Sequence, residues 1–291
     1  MSLYLLNYYF FKDSIKNINQ EIISSAKIDN NTLFKQSFFY NSCDFYNMLN
    51  PFKKNPYRIA SQLKTDSSHL FFKEILIESK KSNDNELILF TYAIILSHFL
   101  NTRFKYYIDK EITRTKNRYY VEKMIDSYFF NKFEKMSLYK INIADYFFDG
   151  FNLDDKYLDF IDKPIVRSFG LFCCKTYFEN AYINAYKYYD FHATKHINLK
   201  NITHFFIDLF FNHKKGKRKA ITYTYHKKID TTILNLQKKE YQYEDYIINH
   251  SIDEFYNKLL KDSKQIINAL NDYYNTENLK PFYKLFPINT L

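Results

Sequence analysis

With 291 residues the chain is long enough for one large domain or two, and only three glycines (Gly150, Gly170, Gly216) and five prolines punctuate it. That scarcity excludes an all-β fold built on many tight turns and leaves no glycine-rich phosphate loop, so a mostly helical chain is expected. The formal net charge of +10, spread along the whole chain, favours anionic partners such as phospholipid surfaces or nucleic acid without choosing between them.

The three cysteines, Cys43 and the adjacent Cys173 and Cys174, have no metal-type spacing, so neither a disulfide framework nor a zinc finger is expected and a reducing compartment is the default. The start, MSLYLLNYYFFKDSIK, has no basic segment before its apolar residues and no small-residue cleavage site. The longest uncharged apolar run, Leu87 to Leu100, falls short of the ~20 residues that cross a bilayer, and a soluble cytoplasmic protein without a transmembrane segment is the expectation.

In chain order, Ile15, Ile18, Ile22 and Ile23 mark a first amphipathic helix within residues 1 to 27. Residues 29 to 57 are rich in Asn, Ser, Phe and Tyr and contain Pro51 and Pro56, which predicts a long ordered loop packed by its own aromatic rings. A helix is expected from Tyr57 to Lys80, restarted near Thr65 or Asp66, with Leu70, Phe71, Ile75 and Leu76 inward. The run LILFTYAIILSHFL from Leu87 is apolar on nearly every face, which predicts a helix buried on all sides at the centre of the protein. The segment from Asn131 to Lys163 alternates aromatic pairs with Asp clusters and resists assignment, and Pro164 reads as a break. Helices are expected at 165 to 190, at 199 to 213, and, from Ile252, Phe255, Leu259, Ile266 and Leu270, at 251 to 274.

Polar residues concentrate on two stripes. His98, late in the core run, is followed at helical spacing by Asn101, Thr102 and Lys105, and the next helix carries Arg118, Glu122 and Asp126 at i, i+4, i+8. Two facing polar stripes inside a helical bundle can build a metal or ligand site, but a core histidine satisfied by structural hydrogen bonds explains the same pattern and is the stronger reading of the residue types alone. His192 and His196 are spaced i, i+4 without the carboxylate that would complete a metal motif. The basic run from His213 to Lys219 reads as a solvated helix end and turn before it reads as a phosphate patch.

The order of several blocks resembles the bacterial zinc-dependent phospholipase C family. These are MSLYLLNYYFF at the start, NSCDFYNMLNPFKKN ending at Asn55, ASQLKTDSSHLFF from Ala60, FTYAIILSHFLNTRFKYYI from Phe90, RYYVEKMID from Arg118 and ILNLQKKEYQYED from Ile233. The resemblance covers most of the chain and is weakest over 131 to 230. It implies a single all-α domain over 1–291, a multi-helix bundle of the phospholipase C/P1 nuclease-like type. In that family a pocket in the bundle holds zinc through His, Asp and Glu and activates a water against a phosphodiester.

Position by position, the resemblance implies a damaged site. Asn7 stands at the family's N-terminal histidine, Ser42 at its first aspartate with Asp44 as a shifted candidate, and Lys64 at the next histidine. His98 matches, Asn101 or Thr102 stands at the following aspartate, Lys105 at the next histidine and Arg118 at another, and Glu122 matches. Protonated Lys and Arg cannot ligate zinc, so a degenerate protein without phosphodiesterase chemistry and without a cofactor is implied. It would hold an anion-binding pocket for phosphate or an anionic phospholipid headgroup lined by Lys64, Lys105 and Arg118, with the Arg118 and Glu122 pair filling a dead pocket as the competing possibility. An active metal-dependent phosphodiester or phospholipid hydrolase remains the alternative, holding zinc through His98, Glu122, Asp126 and Asp44, with His69 in reserve. A basic membrane-surface or nucleic-acid module using Lys214 to Lys219 with Tyr223 and Tyr225 is a further alternative, nucleic acid being the least expected partner. No catalytic residue is assigned.

Overall fold

The computed structural model describes residues 3–26, 29–46, 59–64, 68–115, 118–147, 153–172, 174–191, 228–235, 241–243, 246–248 and 250–286. It is a helical bundle with one short antiparallel hairpin. The helices are α1 (Tyr4–Ser14), α2 (Gln20–Ala26), α3 (Asn30–Ser42), α4 (Ile59–Leu63), α5 (Ser68–Ser82), α6 (Asn85–Thr115), α7 (Arg118–Glu134), α8 (Ile143–Phe147), α9 (Asp155–Phe169), α10 (Cys174–Phe191), α11 (Ile252–Thr276) and α12 (Lys280–Leu285). The hairpin pairs β1 (Tyr241–Tyr243) with β2 (Tyr246–Ile248), Tyr241 opposite Ile248.

Helix α6 is the centre, as the apolar run predicts, but it is longer than the run: 31 residues, about 46 Å at the α-helical rise. Asp84 caps it by accepting the Glu86 N–H at 3.0 Å, and Asn83 takes a left-handed φ of 51° to turn the chain out of α5. Helices α1, α2, α3, α5, α7 and α11 all pack on it. Its stretch Asn85–Glu111 is long and apolar enough to cross a membrane by length and composition, yet 83% of the most apolar window is buried by the surrounding helices, the signature of a core helix.

Two expectations fail for physical reasons. Residues 30 to 42 form a helix and not a loop. Asp29 caps it through the Thr32 N–H at 2.7 Å, and Phe34, Phe38, Phe39 and Tyr40 are all buried. Burying four rings contributes ~1.5–3 kcal/mol each, which outweighs the ~0.5 kcal/mol that each Asn, Ser, Thr or Phe costs a helix relative to Ala. Pro164 does not break the chain but lies buried inside α9, whose amphipathic face (Tyr157, Leu158, Phe160, Ile161, Ile165) holds the helix through it until Gly170 closes it at φ 63°.

The unassigned stretch before it contains the end of α7, α8 and the start of α9, and the helix expected at 165 to 190 is divided between the end of α9 and α10. The helix expected over 57 to 80 is present as α4 and α5, the restart near Thr65 or Asp66 lying outside the described residues. Two salt bridges join α5 to α9, Lys163 to Glu78 at 3.2 Å and Arg167 to Glu78 at 2.9 Å, and Lys156 on α9 bonds Asp84, the cap of α6, at 2.8 Å. Helix α11 starts in a capping box, Ser251 with Glu254, and closes the bundle from outside as its periodicity predicts. Residues 47 to 58, the helix expected at 199 to 213, the His192 and His196 pair, and the basic run to Lys219 with Tyr223 and Tyr225 lie outside the described residues.

Candidate functional site

The polar stripes of α6 and α7 are brought toward α1 and α3, and four local arrangements result. The first is an amide relay. Asn7, buried on α1, donates through Nδ2 to the Leu3 carbonyl at 2.5 Å and to Asn101 Oδ1 at 3.3 Å. Asn101 on α6 donates in turn to Asn41 Oδ1 on α3 at 2.8 Å, across sixty residues of chain. Asn7 Oδ1 and Asn41 Nδ2 end the relay without partners in the described protein. Ser97, one turn before Asn101, donates to the Ser37 carbonyl at 3.0 Å and locks the same helix pair. Ser42 turns back on its own helix, donating to the Phe39 carbonyl at 2.7 Å.

The second arrangement fixes His98. Tyr40 has one hydroxyl proton and donates it to the Leu63 carbonyl at 2.8 Å, so the 2.8 Å contact between Tyr40 and His98 Nδ1 requires the imidazole to be the donor. His98 is therefore assigned as the neutral Nδ1–H tautomer, with Nε2 as the acceptor nitrogen. Phe72 stands edge-on to it at 4.7 Å and Phe286 lies 6.0 Å away. The residue is only partly shielded from solvent, but these rings make its surroundings apolar, and burial pushes its pKa down to about 4.

The third is a compensated ion-pair cluster. Lys64 Nζ lies 2.5 Å from Asp44 and 5.9 Å from the centre of the Tyr40 ring, which links it to the His98 arrangement. Arg118 bonds Glu122 through Nε at 2.9 Å and reaches Asp109 at 3.8 Å, and Asp44 acts on it through space. Burial works against the guanidinium charge, but Glu122, Asp109 and Asp44 outweigh it and hold the Arg118 pKa above its ordinary value. Two cations thus face three carboxylates, not the cationic surplus that Lys64, Lys105 and Arg118 predict. Lys105 is exposed, one turn beyond Asn101 on α6.

The fourth is Asp126. Its carboxylate, 2% exposed, accepts the Leu6 N–H at 3.1 Å and also bonds the N–H groups of Leu5 and Tyr4, so α7 caps the start of α1. Burial raises its pKa to about 8 against those bonds, and the nearby Glu122 charge adds to the rise.

Among the described residues no three His, Cys, Asp or Glu side chains converge as a metal site requires. The reason is visible donor by donor: His98 is turned to Tyr40, Asp44 to Lys64, Glu122 to Arg118 and Asp126 to the α1 backbone, while His69 is half-buried at the start of α5. The donor set does not fit a zinc cluster. Sequence reasoning missed Asn41, Tyr40 and Asp109. Their only signal was polarity within an aromatic or charged run, which is too common in this chain to single them out. No protein-family model, characterised protein or solved structure matches the chain.

Proposed function

We propose that the chain is a non-hydrolytic protein of zinc-dependent phospholipase C-like architecture whose metal-ligand positions have become an amide relay and ion pairs, and that the Lys64 and Arg118 region takes up a phosphate group. The observation carrying this reading is the commitment of Asp44 and Glu122 to two cations that remain partly accessible, with side chains 21% exposed at Lys64 and 35% at Arg118. A lysine and an arginine that share the field of one carboxylate can exchange it for a phosphate, because each charge-assisted bond contributes ~1.5–3 kcal/mol net to whichever anion holds it. Since the anion must displace Asp44 or Glu122, binding is weak and salt-sensitive. Among the described residues the same commitment leaves Asp44 and Glu122 unavailable to activate water on a metal beside His98, so phosphodiesters are bound there and not cleaved.

The test is thermal melting with and without millimolar phosphate or phosphoglycerol, together with zinc analysis and a phosphodiesterase assay on phosphatidylcholine analogues. Phosphate is expected to raise the melting temperature of the parent protein and not of the Lys64→Ala, Arg118→Ala variant, with substoichiometric zinc and no turnover. A shift that survives the double substitution, or zinc at one or more ions per chain lost with activity in His98→Ala, overturns it.

A further inference from the structure

We propose that α12 is a hinged strap that gates access to Nε2 of His98, the ring nitrogen that Tyr40 leaves open. Phe286, at the end of α12, lies 6.0 Å from the His98 ring and 5.9 Å from the Phe72 ring, and Phe282 packs behind it at 4.9 Å. The strap thus runs from the end of α11 to the place where α5 and α6 bring Phe72 and His98 together. Tyr40 engages Nδ1, and no hydrogen bond engages Nε2 among the described residues. Because the two nitrogens point to different sides of the imidazole, this inference is independent of the phosphate reading at Lys64 and Arg118.

The polar anchoring of this end of the bundle stops where the strap begins. Helix α11 is pinned by Tyr92, which donates to Asn271 at 2.7 Å, by Ser79, whose hydroxyl meets that of Tyr274 at 2.7 Å, and by Lys80 on the Tyr274 carbonyl. Glu277 then takes a left-handed φ of 60° and ends the helix, and residues 275 to 278 are all exposed. In α12 the Tyr283 and Phe286 N–H groups bond back to Leu279 and Phe282, and the Lys280 N–H to Asn278. Among the described residues no hydrogen bond or ion pair joins α12 to another helix.

What holds the strap down is apolar contact. Phe282 is buried, while Tyr283, Leu285 and Phe286 are half-buried against the core. Contact of this kind is non-directional and can part and re-form as a unit, since it leaves no hydrogen-bonding partner behind on α5 or α6. A helix of six residues does not persist without packing, so lifting the strap also unfolds it. With α12 in place Phe72 and Phe286 frame the imidazole. With α12 lifted, Nε2 of the neutral ring can accept a hydrogen bond or a proton from a ligand that carries a donor group. An exposed hinge, an apolar hold and an unused acceptor beneath it together make access to His98 conditional on α12.

The experiment is carbethoxylation of the full chain with diethyl pyrocarbonate at neutral pH, followed at each histidine by peptide mapping, alongside amide hydrogen exchange. The Nε2 lone pair attacks a carbonyl carbon of the reagent, ethyl carbonate leaves and the Nδ1 proton is released, so the rate at His98 reads how open Nε2 is. Phe286→Ala should speed modification of His98 about tenfold, and Phe286→Leu, which keeps an apolar cover, at most about threefold. His250, half-buried ahead of α11, should keep the parent rate in both variants. The Tyr283 and Phe286 amides should exchange about a hundredfold faster than those of Ile266 and Ile267 in α11. The proposal is overturned if His98 in the parent already reacts as fast as in Phe286→Ala, if His250 speeds up by the same factor, or if α12 exchanges only together with α11. Phosphate-induced melting shifts, which test the Lys64 and Arg118 region, should persist in Phe286→Ala.

Discussion

Asp126 offers the sharpest test of how the interior is held together. Replacing it by Asn keeps an oxygen for the Leu6 N–H, now 3.1 Å from the carboxylate, while removing the ionisable group. In the folded protein burial raises its pKa from 3.8 to about 8, so the native state holds a proton that the unfolded chain has lost. An acid with a raised folded pKa stabilises the native state relative to the ionised reference only while it stays protonated. Its contribution therefore falls as pH rises from about 4 to about 8 and is level outside that window. At ~1.4 kcal/mol per pH unit the loss is on the order of 5 kcal/mol, comparable with the whole stability of many domains.

Urea denaturation of parent and Asp126→Asn across this range isolates the group, because every other titration is common to both. The difference between the two curves should tilt by several kcal/mol, the variant gaining on the parent as pH rises. Glu122→Gln should move the midpoint of the tilt to lower pH, since the Glu122 charge is one cause of the rise. Parallel curves would refute the reasoning and show instead that the three α1 N–H groups hold Asp126 ionised throughout.

Tyr40→Phe should cost ~1–3 kcal/mol, because the Leu63 carbonyl and His98 Nδ1–H lose their partner together; melting reads the cost, and nitrogen chemical shifts of His98 should show loss of the single tautomer. Asn101→Ala should destabilise by ~2–4 kcal/mol, as it orphans Asn7 and Asn41 at once, and a double-mutant cycle with Asn7→Ala should show strong non-additivity. At the salt bridges between α5 and α9 burial works against the Glu78 charge, but Lys163 and Arg167 outweigh it and lower its pKa. Its stabilisation is present above the unfolded pKa and lost as pH falls through the folded one, so Glu78→Gln should cost no more than ~1 kcal/mol at neutral pH and nothing in acid.

Periodicity and composition carried the local part of this protein. The apolar run from Leu87 announced a helix that can only be buried, and the face of Ile252, Leu259, Ile266 and Leu270 announced α11, because burial patterns repeat with the helical turn whatever they pack against. The same reasoning failed over residues 30 to 42, where Asn, Ser and aromatic residues have poor intrinsic helix preference and only the partners that bury Phe34, Phe38 and Phe39 make a helix favourable. At the candidate site the sequence determined which residue types were present, among them His98, the cations Lys64 and Arg118 and the carboxylates Asp44 and Glu122. It could not determine their pairing. That Asn101 bonds Asn7 and Asn41, 94 and 60 residues away, that Tyr40 sets the tautomer of His98, and that Asp44 and Glu122 neutralise Lys64 and Arg118 follow from how α1, α3 and α7 pack on α6. Charge balance at a buried site depends on distances of a few ångströms between distant segments, and only the tertiary structure sets those distances.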